Sequence, residues 1–334
     1  MGYPAFHIWK AGGPLLLPIG ALAAAFSDGF PGVMALSFLP WGAVPLLVFA
    51  AWGACKGSVW VAICAGLAAL VAVLPLFRVP EPACQGAKDE HVGRVAHMNV
   101  HEANNRYDAV ISAALLIRAD ILSIQEVDSI WLEKLEQGLA REYPWHLHGP
   151  GERNYGIALF SRIPFDRVEV LDLDGLPAIQ ALVTFDSVSL RVIAAHLRSP
   201  VSSPDWKQRN RQWSTLANLV TSSNTPTCLL GDLNTVPWDN AFVQFVATTG
   251  MHTGAGVLAP TWPAFTGFAL IPLDHILLSK GCAMDAKETL TIPGSDHLGF
   301  VTRIRHCNAA KVICQVTRDF SNFAPRPDDV VVQD

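Results

Sequence analysis

Apolar positions follow two regimes along the chain. From residue 11 to 77 they run almost unbroken, and the only formal charges are Asp28 and Lys56. Beyond Pro80 they come in short runs divided by polar residues, Gly and Pro. The first regime predicts membrane-spanning helices, and the second predicts a water-soluble body.

Three stretches make up the first regime: AGGPLLLPIGALAAAF (11–26), VMALSFLPWGAVPLLVFAAWGA (33–54) and SVWVAICAGLAALVAVLPLF (58–77). Crossing a hydrocarbon core about 30 Å thick takes roughly 20 apolar residues, which the second and third supply and the first supplies only with its flanks. Pro18, Pro40, Pro45 and Pro75 fit this reading, because neighbouring helices can satisfy the carbonyls that proline frees in a membrane. Trp41, Trp52 and Trp60 suit the interfacial belts. A buried hairpin of a soluble protein is disfavoured, since the region offers nothing polar enough to face water. A signal peptide ending near ALAAAF would remove the first stretch alone. With Lys10 and Lys56 on the cytoplasmic side, three spans place the body outside the cytoplasm, although Arg78 directly after the third weighs against this.

In the second regime the period switches between that of strands and that of helices. RVAHMNV, DILSIQE, YGIALFS, DRVEVLDL, AIQALVTF, LRVIAAHL, TCLLGD, LDHILLS and GFVTRIR read as strands. RYDAVISAALLIRA, SIWLEKLEQGLAREY, residues 205–222 and a segment after Trp238 read as helices. Mixed strands with helices grouped outside predict two packed sheets flanked by helices, not a purely parallel doubly wound sheet. The expected organisation is a membrane segment with three transmembrane helices (1–80), a polar linker EPACQGAKDEHVG (81–93), a folded domain (94–306) and a C-terminal extension (307–334).

Composition adds two constraints. The chain has 334 residues and 51% hydrophobic positions, a fraction raised by the first regime, whereas residues 80 to 306 carry eighteen Lys and Arg against twenty-four Asp and Glu. A protein that tracks a nucleic-acid backbone normally presents a basic face, so this balance disfavours nucleic acid as the partner. Seven cysteines show no Cys-x-x-Cys spacing. Cys228 falls inside a strand and reads as a buried thiol, while a Cys307–Cys314 bridge stays open.

The candidate chemistry lies at strand ends. AHMNVHE ends on Asn99, ILSIQEVD on Gln125 and Glu126, VIAAHL on His196, LLGDLN on Asp232 and Asn234; PLDHILLS begins with Asp274, and PGSDHLGF supplies Asp296 and His297. Each alone is ordinary strand punctuation. A fold that gathered them at one edge would hold Mg²⁺ on hard oxygens such as Glu126, Asn99 and a second carboxylate, with histidines facing phosphoryl oxygens and a carboxylate orienting water.

In this order the motifs MNV, QE, YGIALFSR, AHL, GDLN, LDH and SDH, spanning about residues 94 to 305, resemble the endonuclease/exonuclease/phosphatase superfamily of metal-dependent phosphoesterases. The resemblance implies a DNase I-like, four-layered α/β/β/α sandwich, here preceded by an N-terminal transmembrane helical segment. It implies Glu126, Asn99 and Asp296 around the metal, Mg²⁺ with Mn²⁺ as an alternative. It implies Asp232 on the attacking water, Asn234 on the phosphate and on that aspartate, His196 and His297 facing the phosphate, and Asp274 orienting His297. His101 stands where some nucleases of the superfamily carry an aspartate for a second metal, which favours one catalytic ion. His101, Tyr155 and Arg198 are candidate substrate contacts, with structural, solvent or surface ion-pair roles as alternatives, and Arg162 is equally open. The membrane segment joined to such a domain further resembles the VanJ-type bacterial proteins linked to teicoplanin resistance.

The expected activity is hydrolysis of a lipid phosphate or lipid-linked phosphodiester, such as a cell-envelope intermediate, by an integral protein of the bacterial plasma membrane whose catalytic domain is extracytoplasmic. A tethered nuclease and a catalytically silent membrane binding protein are the alternatives. Trp206, Trp262, Phe265, Phe268 and Leu270 lie near the motifs and would either meet lipid or pack under their own loops.

Overall fold

A computed structural model describes residues 13–79, 91–185, 188–254, 256–264, 268–285 and 287–306. The tail, most of the linker, Phe265, Cys307 and Cys314 lie outside these residues. Three helices come first: α1 (Leu16–Ala25), α2 (Gly32–Cys55) and α3 (Val59–Val73), the last prolonged by a 3-10 turn, Leu74–Arg78. The body follows as β1 (His91–Asn99), α4 (Tyr107–Ile117), β2 (Ile121–Gln125), α5 (Ser129–Leu139), β3 (Trp145–Gly149), β4 (Ile157–Ser161), β5 (Phe165–Leu173), β6 (Leu176–Phe185), β7 (Val188–Ala195), α6 (Ser203–Thr221), β8 (Thr227–Asp232), α7 (Asn240–Thr249), β9 (His252–Thr253), β10 (Asp274–Leu278), β11 (Cys282–Met284), β12 (Glu288–Thr291) and β13 (Leu298–His306).

The strands form two sheets. One runs β11-β13-β1-β2-β4-β3, with β12 also on β13; the other runs β5-β6-β7-β8-β10-β9. Each has one parallel pair near its centre, β1 with β2 and β7 with β8, and antiparallel neighbours elsewhere. Central strands β2, β4 and β8 are buried along their whole length, which is why their sequences are nearly continuous apolar runs. Val95, Ile121, Leu159, Ile179, Val192 and Leu230 belong to the core between the sheets. Trp131, Leu135 and Leu139, four residues apart on α5, turn one stripe toward the first sheet, and Asp128 caps that helix by accepting from Trp131 N (2.7 Å). On the second sheet, Trp213 and Leu216 of α6 pack with Phe242 and Phe245 of α7. The result is the four-layered α/β/β/α sandwich.

Among the described residues, two helical runs are long and apolar enough to cross a membrane, Gly32–Cys55 and Val59–Arg78; the first apolar helix, Gly13–Ala25, is shorter. Only 17% and 33% of their apolar windows are buried, unlike the core helices of a soluble domain. Small residues Ala43, Ala69 and Ala72 let α2 and α3 approach closely. Pro40 carries no N–H for the carbonyl of Leu36 four residues earlier, and the indole of Trp238 in the body donates to that carbonyl instead (3.0 Å).

Candidate active site

Strand register brings the chemistry to one edge. Asn99 pairs with Gln125 at the ends of β1 and β2, and Asp232 pairs with Asp274 at the end of β8 and the start of β10. Gln125 joins the two sheets: its Nε2 donates to Ala195 O (2.8 Å), and its Oε1 accepts from Asp232 N (2.9 Å). Gly231 has φ of 145°, and a Cβ there would collide with Ala195 O and the Gln125 amide. Glycine therefore permits the close approach that lets Asp232 emerge beside β7. Three site residues hold left-handed backbone, His101 (φ 61°), Glu126 (φ 63°) and Asn234 (φ 46°). Such strain at non-glycine residues concentrates where a fold over-determines a functional geometry.

One half of the site is a cluster of oxygens. Glu126, nearly buried, accepts from Asn99 Nδ2 (3.0 Å) and Asn154 Nδ2 (3.4 Å) at Oε1 and from Glu102 N (3.0 Å) at Oε2. His101 Nδ1 lies 3.4 Å from Asp296 Oδ1 and 3.8 Å from Glu126 Oε2, bridging the two carboxylates. Asp296 is partly exposed, yet its Oδ1 is covered and accepts no hydrogen bond. A covered carboxylate oxygen that accepts no hydrogen bond, with a second carboxylate on the far side of His101, is the kind of oxygen a hard divalent cation takes. Asp232, Asp274 and His297 also offer atoms within 4.8 Å of one another. There, however, both Asp274 oxygens already accept from histidines, which leaves that trio less suited to an ion.

The other half is a proton network. His97 Nε2 donates to Asp274 Oδ1 and His297 Nδ1 donates to Asp274 Oδ2, both at 2.9 Å. Burial opposes the charge on Asp274, but the charge and hydrogen bond of His297, with help from His97, hold its carboxyl well below the ordinary range. Burial likewise opposes the charge on His297, and Asp274, Asp232 and Asp296 outweigh it, raising the imidazole to about 10. His297 is thus an imidazolium at neutral pH, with its Nε2 3.7 Å from Asp232 Oδ2. His196 Nε2 stands 3.5 Å from the same oxygen. Asp232 also accepts from Asn234 N (3.0 Å) and Asn99 Nδ2 (3.4 Å). A carboxylate ringed by donors and imidazoles can orient water and take its proton, while the histidines face developing negative charge.

The fold brings Asn99, His101, Glu126, His196, Asp232, Asn234, Asp274, Asp296 and His297 into one connected site. Asn99 and Asn234 are oriented otherwise than expected, the latter donating from Nδ2 to Leu197 O (2.9 Å), and Tyr155 and Arg198 take the structural and ion-pair alternatives. Asn99 turns its nitrogen to Glu126 and Asp232 while its oxygen accepts from His101 N, so in this arrangement its amide positions the two carboxylates. Tyr155 is buried, its hydroxyl accepts from Ser199 N (3.1 Å), and its ring sits against His196 (4.8 Å) and Arg198 (4.4 Å), so it supports the site from beneath. Arg198 donates to Gln208 (2.9 Å) beside Asp205 (3.9 Å), the ion-pair alternative. Arg162 pairs with Glu142 (3.1 Å), on an exposed flank. Sequence reasoning missed His97 and Asn154 and gave Gln125 no role. A buried histidine two residues before Asn99 on the same strand face was the available signal for His97.

The family described as Endonuclease/Exonuclease/phosphatase family matches residues 96–297. No curated protein matches the chain. Among solved structures, a humanized D. rerio TDP2 is similar at 18% identity, covering 64% of this chain and 98% of its own, with a TM-score of 0.53. The human Nocturnin catalytic domain is similar at 20% identity, 66% and 96% coverage and 0.53. Sphingomyelinase C from Streptomyces griseocarneus is similar at 14%, 63% and 98%, and 0.51.

Proposed function

The chain belongs to the endonuclease/exonuclease/phosphatase family of metal-dependent phosphoric ester hydrolases, and from that premise we propose that it is membrane-anchored, uses Mg²⁺, and hydrolyses a lipid phosphate or lipid-linked phosphodiester. The observation that carries the lipid assignment is the pair of largely exposed apolar helices packed against the same domain that holds the site. The acidic balance of residues 80 to 306 argues in the same direction, and a sphingomyelinase of the same fold is compatible with it.

In this reading Glu126 and Asp296 hold the ion, which when bound supplies Lewis-acid stabilisation of a phosphoryl oxygen. Asn99 and Asn154 keep Glu126 in place. Asp232 orients the attacking water and accepts its proton. His196 and His297 donate to the non-bridging oxygens, and Asp274 keeps His297 charged for that task. Residues 1–80 form the membrane segment, 81–93 the linker, 94–306 the catalytic domain and 307–334 an extension. Because the first turns of α2 meet the body, Lys56 stands at the opposite end of the hairpin, which supports a body outside the cytoplasm by the positive-inside preference, against the single Arg78 on the body side. A reporter fused after residue 80 should signal from outside; a cytoplasmic signal contradicts this topology.

The test incubates detergent-solubilised protein and a His297→Ala variant with Mg²⁺ against polyprenyl phosphates, phospholipids, sphingomyelin and plasmid DNA. Wild type should release phosphate or headgroup from a lipid, and the variant should be slower by roughly 10²–10³-fold. Equal release by both from every substrate contradicts the enzymatic reading, and cleavage of DNA alone contradicts the lipid reading.

A further inference from the structure

The membrane helices and the active site share a wall. Leu36 of α2 is buried with Val236, Trp238, Ile271 and Leu273 of the body. Trp41 Nε1 donates to Leu270 O (2.6 Å), and the Phe38 ring lies 6.5 Å from that of Trp262. Trp262 in turn donates from Nε1 to Asp296 Oδ2 (3.0 Å), and its ring is 6.5 Å from His297. One indole therefore separates α2 from the groups assigned to the metal and the phosphate.

Helix length fixes the depth of this contact. Lys56 is the first formal charge after Asp28, so it marks the far boundary of the apolar segment. About 20 residues at ~1.5 Å each cross a hydrocarbon core of ~30 Å, which counts back from Lys56 to Leu36 as the near boundary. Trp41 lies beyond it toward the core, so the Leu270 carbonyl that it meets sits at the level where headgroups give way to acyl chains. Tilt would move the boundary toward Gly32 and bring the same backbone deeper. Phe268, two residues before Leu270, is 56% exposed, and Leu258, three residues before Thr261, whose N donates to Ile271 O (2.9 Å), is 46% exposed.

We propose that Leu258 and Phe268 contact the bilayer directly, at its headgroup–acyl boundary, and that the active site takes its phosphoester from that layer while the apolar tail of the substrate stays in the membrane. Both halves rest on the proposed membrane anchoring, and the second rests also on the lipid-phosphoester reading. Partial burial of such side chains in the interface together with a tether raises the local concentration of membrane substrate over a soluble one.

The test places the photoreactive p-benzoylphenylalanine separately at positions 258, 268, 47 and 116 of the full chain, in phosphatidylethanolamine–phosphatidylglycerol vesicles. Leu47 is an exposed residue of α2, and Leu116, 83% exposed on α4, is the body control. After irradiation, mass spectrometry should find phospholipid adducts at 47, 258 and 268 and none at 116. Adducts at 47 with none at 258 or 268 overturn the contact, and this readout needs no turnover, so its failure is distinct from a failure of the phosphoesterase assignment. In a Phe268→Ser variant, the ratio of vesicle-ester to soluble bis(p-nitrophenyl) phosphate turnover should fall by about 10-fold, in keeping with lost interfacial anchoring. A ratio equal to that of wild type overturns delivery from the layer.

Discussion

Asp274 lies between two imidazoles, and only one of them was legible in the sequence. His297 is carried by the SDH motif, whereas His97 lies inside a strand and meets an aspartate that is 177 positions away. Its Nε2 occupies Asp274 Oδ1 and so leaves Oδ2 to His297. Replacing His97 by Phe should lower kcat by roughly 10–100-fold, the usual cost of losing such an orienting partner, with KM little changed. A parallel loss of folded protein with normal kcat per folded molecule would reduce His97 to a packing residue. Asn99 shows the opposite limit: sequence identifies the amide but not which end of it faces the carboxylates.

His275, beside Asp274, faces the other way and donates from Nε2 to Thr235 O (2.8 Å). Burial, and then the neighbouring Lys287 ammonium, lowers it to about 4. Above pH 6.5 it is neutral in folded and unfolded chains alike. Between 6.5 and 4 the unfolded chain binds a proton that the folded chain refuses, so stability falls as pH drops through this window, by about 3 kcal/mol in all, and levels off below it. Denaturation midpoints measured from pH 7 to 4 should decline less steeply in a His275→Asn variant; an identical slope contradicts this account.

At the level of elements, the strands that bear the site were readable because each is an apolar run that stops at a polar residue. TCLLGD was read at the bounds it has, Thr227–Asp232. Four strands escaped, β3, β9, β11 and β12: β3 alternates histidines with Trp145 and Leu147, and the others span four residues or fewer, too short to show a period. Gly231, one residue before the end of β8, has more work than a turn requires. Gly231→Ala should cost about 3 kcal/mol, because a Cβ meets the Ala195 carbonyl and the φ of 145° suits glycine. Thermal unfolding in detergent checks this, and a variant as stable as wild type would show that the two sheets can separate freely at that point.

For the whole molecule, the division into an apolar head and a polar body followed from charge spacing alone, and the two-sheet architecture followed from grouped strands. The joint between head and body did not. It depends on Trp238 finding the one carbonyl that Pro40 leaves open and on Trp41 finding Leu270, pairings about two hundred residues apart that no local pattern encodes. Among the described residues the first apolar helix runs Gly13–Ala25, shorter than the other two.

The central claim, a metal-dependent phosphoesterase working on lipid, is tested most directly by headgroup or phosphate release from a lipid phosphoester held in vesicles that contain the full-length protein. With Mg²⁺ present, wild type should release product, EDTA should abolish the release, and Asp232→Ala should reduce it by roughly 10²–10⁴-fold, the range for loss of a general base. Release that is indifferent to both EDTA and Asp232→Ala would contradict the account, as would absence of release from every lipid phosphoester while the same preparation cleaves DNA.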